Sequence, residues 1–94
     1  MRVCVLDGRK IEDVKSLHNE LASLLEFPDW YGKNLDALHD CLTDLEGETE
    51  IRFLYQDILK EHLGDYFEKF IKVIQMSVKD NTGIHLFLQE NDTL

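Results

Sequence analysis

Three short β-prone apolar runs, held apart by stretches of helical periodicity, constrain this chain more than any other feature. They are Arg2-Val3-Cys4-Val5-Leu6, Ile51-Arg52-Phe53-Leu54-Tyr55 and Ile84-His85-Leu86-Phe87-Leu88. A hairpin needs only a few residues between its strands. The intervals here carry helices instead, so the three runs are expected to pair in parallel within one small sheet. Val14, Leu17, Leu21, Leu24 and Leu25 recur at helical spacing behind Asp13, which can cap the first exposed amides. Pro28 then breaks the pattern, and Gly32 permits a positive φ in the loop 27–34. Asn34 can cap a second helix with Leu35, Leu38, Leu42 and Leu45 along one side, running into a turn at Glu46-Gly47-Glu48. A short helix from Asp57 to Leu63 stops at Gly64. Asp65 is expected to cap a longer one whose stripe is Phe67, Phe70, Ile71, Ile74 and Val78, widened by Tyr66 and Val73. Asn81-Thr82-Gly83 ends that helix, and a polar tail follows the third strand. The expected class is α/β: a three-stranded parallel sheet packed with about four helices.

Composition narrows the function. Ninety-four residues, 44% hydrophobic, supply one core but not two, so residues 1–94 are expected to form a single domain. No apolar run approaches the roughly 20 residues of a membrane span, and no secretory segment follows Met1-Arg2. Cys4 and Cys41 form neither a disulfide framework nor a metal pattern and read as core filler in a reducing compartment. Nineteen acidic against ten basic side chains leave a net charge of −9, which disfavours nucleic acid as a partner and favours a cation.

The charge is concentrated. Between Glu26 and Glu50 there are eight acidic side chains against Lys33 alone. On the second helix Asp36, Asp40 and Asp44 span roughly 80° of the wheel, opposite the leucines. Like charges four residues apart cost an isolated helix a few tenths of a kcal/mol. Asp36 is favourable in the first turn, where it meets the positive end of the helix; Asp40 and Asp44 have no such compensation. A solvated face selected for solubility explains the stripe equally well on charge alone. Trp30 and Tyr31, in the loop before it, admit two readings: contact rings beside the acidic stripe, or rings folded onto the domain.

The segment Phe27-Pro28-Asp29-Trp30-Tyr31-Gly32-Lys33-Asn34-Leu35-Asp36-Ala37-Leu38-His39-Asp40-Cys41-Leu42-Thr43 closely resembles the hallmark segment of the barstar family, intracellular inhibitors of bacterial ribonuclease. The likeness extends to the opening strand with Gly8, to Leu17-His18 and to the last strand; from Leu45 to Lys79 it is one of pattern only. It implies a barstar-like domain whose second helix and preceding loop plug a cationic nuclease site, with acidic side chains taking the places of substrate phosphates. Asp36 and Asp40 then match the inhibitory aspartates, Asp40 the central one. Trp30 matches an aromatic contact, and Gly32 and Asn34 match residues that shape the loop. Tyr31, His39 and Asp44 complete the expected partner-binding set. Departures from the family pattern are His39 and Leu45 where it has Trp, and Asp44 where it has Gly. An acidic contact on the last helix is lost at Gln75 or Met76, while Asp80 falls near a second acidic position. The resemblance further implies a cytoplasmic inhibitor, monomeric when free, with no catalytic residue, cofactor or metal.

Two rivals stand beside this reading. Asp36, His39 and Asp40 on one helix can ligate a divalent metal, or the carboxylates can serve as acid and base. However, no further ligand falls at recognisable spacing, and a convex helix face makes a poor catalytic pocket. His18, His62 and His85 read as half-buried structural residues. The other rival keeps the fold and makes the acidic face a docking surface for a non-nuclease cationic partner.

Overall fold

The computed structural model of the protein describes residues 1–88; the expected polar tail lies outside them. Strand β1 (Arg2–Asp7) runs into a 3-10 turn, Gly8–Lys10, and is followed by α1 (Val14–Leu25), α2 (Leu35–Thr43), β2 (Thr49–Leu54), α3 (Gln56–Leu63), α4 (Tyr66–Asp80) and β3 (Ile84–Leu88). The strands form one parallel sheet in the order β1-β2-β3, with Cys4 opposite Ile51 and Ile51 opposite Leu86. This is the α/β architecture expected of the sequence, with three parallel strands and four helices.

Strand alternation decides which face is core. Cys4 and Leu6, Ile51 and Phe53, and Ile84 point to the buried side. There they meet Leu17, Leu21 and Leu25 of α1, Leu38 and Leu42 of α2, and Phe70 and Ile74 of α4. The Phe53 and Phe70 rings meet edge to face at 5.5 Å. Val3, Val5, Arg52 and Phe87 occupy the opposite, exposed face, where Arg52 lies over the Phe87 ring. Gly8 is required by a close approach: a Cβ there would stand 2.5 Å from the Tyr55 carbonyl oxygen and 2.9 Å from the Leu59 side chain of α3.

The structure refines three local readings. The positive φ that Gly32 permits in the loop 27–34 falls at Lys33 (φ 55°). A Cβ at Gly32 would press on Asn34 Nδ2, 3.2 Å away, in the side chain that caps α2. Asp65 precedes α4 in helical conformation and its side chain makes no capping bond, because an N-cap must leave the helical region for its oxygen to reach the amides. Leu45 lies beyond α2, which ends at Thr43 with Asp44 as its C-cap. No helix among the described residues is long and apolar enough to cross a membrane.

Candidate functional site: the acidic face of α2

Helix α2 is short, and its start is fixed by its own sequence. The Asn34 side chain accepts a hydrogen bond from the Ala37 amide at 2.8 Å, and Asp36 sits in the first turn, where a negative charge complements the helix end. Leu38 and Leu42 are completely buried, which fixes the helix's rotation about its axis. The opposite side is therefore committed to solvent, and Asp36, Asp40 and Asp44 are all exposed there. None of the three carboxylates forms an ion pair or a side-chain hydrogen bond among the described residues.

The stripe divides between two grooves. Asp36 and Asp40 line an open groove of about 480 Å³ between α2 and α4, together with Leu35, His39, Val73 and Met76. Asp44, past the end of the regular helix, lines a smaller groove of about 180 Å³ with Glu26, Phe27, Trp30, Cys41 and Leu45. His39 is not free: its Nε2 lies 3.0 Å from Asp80 Oδ2, joining the middle of α2 to the last residue of α4.

The two loop rings take opposite roles. Trp30 is 78% exposed beside the acidic face. Tyr31 is 6% exposed, which corrects its expected place on the contact surface. Its ring packs on Phe27 with centroids 4.9 Å apart, and its hydroxyl lies 2.5 Å from His18 Nδ1. The Tyr66 hydroxyl lies 2.8 Å from His18 Nε2 on the other side. A neutral imidazole has one donor and one acceptor nitrogen, so one hydroxyl donates to the bare nitrogen while the other accepts from the N–H. His18 is thus wholly buried rather than half-buried, and burial pulls its pKa below the usual 6.5. The same burial pushes the Tyr31 and Tyr66 hydroxyls up, keeping both neutral. This bridge pins the loop to α1 and α4 and so holds the entry to α2 in place.

His62 and His85 are exposed rather than half-buried. His62 Nδ1 donates to the Ile11 carbonyl at 2.6 Å, and His85 pairs with Glu48 at 2.6 Å. Both cysteines are free and buried. Burial raises the Cys4 thiol to about 11, and burial with the nearby Asp44 and Asp40 charges raises that of Cys41. Neither is an activated nucleophile. Among the described residues no group of three or more His, Cys, Asp or Glu is placed to hold a metal.

Sequence reasoning missed Val73 and Met76 as walls of the larger groove and Glu26 as the rim of the smaller one. Val73 and Met76 carry only a local signal, their place on the solvent-side flank of the α4 stripe. Glu26 is the left-handed C-cap of α1, with φ 56°, and no periodicity points to it.

A family model described as "Barstar (barnase inhibitor)" matches residues 1–89. A protein of Bacillus subtilis (strain 168) named "Putative ribonuclease inhibitor YrdF" is 41% identical over 78 residues, covering 80% of this chain and 84% of that protein. The family match spans almost the whole chain, including the sheet, the capped α2 and the loop before it, so the chain belongs to the barstar family.

Proposed function

We propose that the protein inhibits a cationic ribonuclease by inserting the acidic face of α2 into the enzyme's phosphate-binding cleft. The observation that carries this reading is that Asp36 and Asp40 stand exposed on a rigidly seated helix with no ion-pair or side-chain hydrogen-bond partner among the described residues. A ribonuclease holds RNA phosphates with Arg, Lys and protonated His, and a fixed carboxylate forms charge-assisted bonds to the same groups. Occupied by carboxylates, the cleft has no room for substrate. Trp30 contributes an exposed ring at the rim, and Gly32 and Asn34 set the loop's course into α2. Tyr31 acts from beneath, through His18. His39 acts as a brace held by Asp80.

The protein works as a monomer and not as a catalyst, and it meets its target in the cytoplasm, before the enzyme can reach cellular RNA. Free, buried thiols at Cys4 and Cys41 suit that reducing compartment. The charge of the face should also speed encounter, in a manner that salt suppresses.

The test is to immobilise the protein, pass over it the proteins of the cell it comes from, and assay the captured fraction for ribonuclease. Capture of a basic ribonuclease whose activity falls stoichiometrically on adding the free protein is the expected result. Its association rate should fall as the Debye length shrinks from about 10 Å at 0.1 M salt to about 3 Å at 1 M. Capture of a cationic protein without ribonuclease activity would replace this reading with docking to a non-nuclease partner.

A further inference from the structure

The smaller groove lies at the far end of α2 from Asp36. Its floor is apolar, from Phe27 and Leu45, and Trp30 stands at its edge. Two carboxylates line it, those of Glu26 and Asp44, and neither has an ion-pair partner among the described residues. Cys41, 7% exposed, adds a thiol with no hydrogen-bond partner among those residues.

The electrostatics are adverse in the free protein. The last turn of α2 holds no basic residue, so nothing within it offsets the negative end of the helix, and Asp44 adds a carboxylate at that end. The Cys41 thiol registers the same field, its ionisation opposed by Asp44 and Asp40 as well as by burial. An apolar occupant would strip water from two carboxylates and return nothing. A metal ion would find too few oxygens beside an indole and a thiol.

We infer that this groove takes an arginine side chain of the ribonuclease partner, with the guanidinium stacked on Trp30 and hydrogen-bonded to Asp44. This rests on the ribonuclease-inhibitor reading and adds to it a second cation site, separate from the Asp36 and Asp40 groove. At about 180 Å³ the groove is smaller than the roughly 300–1,000 Å³ of small-molecule sites and suits one long side chain. Arginine fits better than lysine because its plane stacks on an indole and its fork matches a carboxylate, whereas an ammonium is a strongly hydrated point charge. Glu26 contributes charge at the rim.

Trp30 is the single tryptophan of the chain, so its fluorescence reports on this groove directly. The protein is titrated with N-acetyl-arginine amide, with the lysine and the uncharged citrulline analogues as controls. A saturable response to arginine, weaker for lysine and absent for citrulline, is expected. Asp44→Asn should weaken arginine binding about three- to tenfold, and weaken inhibition of the captured ribonuclease by a similar factor. Asp57→Asn, on α3, should change neither. No saturation, an equal response to citrulline, or full inhibitory potency in Asp44→Asn would overturn the inference. If arginine binds in an Asp44-dependent way but the wild-type protein inhibits no ribonuclease, the inhibitor reading fails and the arginine cannot belong to a ribonuclease. If a ribonuclease is inhibited but arginine does not bind, the groove alone is refuted.

Discussion

Beneath the loop 27–34 and on the outer face of α2, the molecule treats its polar groups in opposite ways. Beneath the loop His18 is held between Tyr31 and Tyr66, and at the loop's end Asn34 caps α2. No buried side-chain nitrogen or oxygen among the described residues lacks a hydrogen-bond partner. On the outer face Asp36, Asp40 and Asp44 have no side-chain partner among the described residues, although like charges four apart disfavour the helix that carries them. The difference separates folding from function. The first region spends its hydrogen bonds on fixing a backbone, and the second keeps its acceptors for another molecule. Substitutions should therefore sort by region, stability changing in one and affinity in the other.

The largest effect is expected at Asp40. Asp40→Ala should weaken binding to the captured ribonuclease by several kcal/mol, the usual scale for truncating one partner of a buried charge pair, while unfolding stability stays level or rises slightly. Calorimetric titration paired with urea unfolding reads both quantities. Unchanged affinity would mean that Asp40 does not meet the partner.

Next in size is the inner region. His18→Ala removes a buried ring and orphans two tyrosine hydroxyls, so it should destabilise the fold by roughly 3 kcal/mol. Tyr31→Phe, which orphans one ring nitrogen, should cost about 1–2 kcal/mol. A stability loss near zero in urea unfolding would mean that the bridge does not hold the loop.

The bridge also predicts a pH dependence. Burial holds the folded-state pKa of His18 below its ordinary 6.5. Above pH 6.5 the imidazole is neutral in both states and contributes no slope. As pH falls below 6.5 the unfolded chain takes up a proton that the folded chain refuses, and stability declines by at most about 1.4 kcal/mol per pH unit. The decline stops once pH passes the depressed folded value. The difference between wild type and His18→Gln, followed from pH 7 to pH 5, isolates this contribution; parallel curves would contradict it.

The smallest effect belongs to Asp44. Removing its charge from the negative end of α2 should raise stability by a few tenths of a kcal/mol, so Asp44→Asn should melt slightly higher. A lower melting temperature would give Asp44 a structural role and remove it from the outer set.

How much of this was legible in the sequence follows the range of each interaction. Strands, helix faces and the Asn34 cap depend on residues within a turn or two, and the periodicity of Leu38 and Leu42 was enough to turn Asp36 and Asp40 outward. Tyr31 was not legible, because its partners are His18, 13 residues before it, and Tyr66, which reaches the same imidazole across 48 residues. The His39–Asp80 pair spans 41 residues and was equally hidden. The left-handed conformation that Gly32 permits is taken by its neighbour Lys33.

Asp36 and Asp40, on the reading proposed above, serve a partner and not the fold. The direct measurement is the inhibition constant of the Asp36→Ala/Asp40→Ala double variant against the captured ribonuclease, set beside its free energy of unfolding. Inhibition should collapse while stability is kept or slightly raised. Undiminished inhibition, or a loss of inhibition that merely follows a loss of stability, would contradict it.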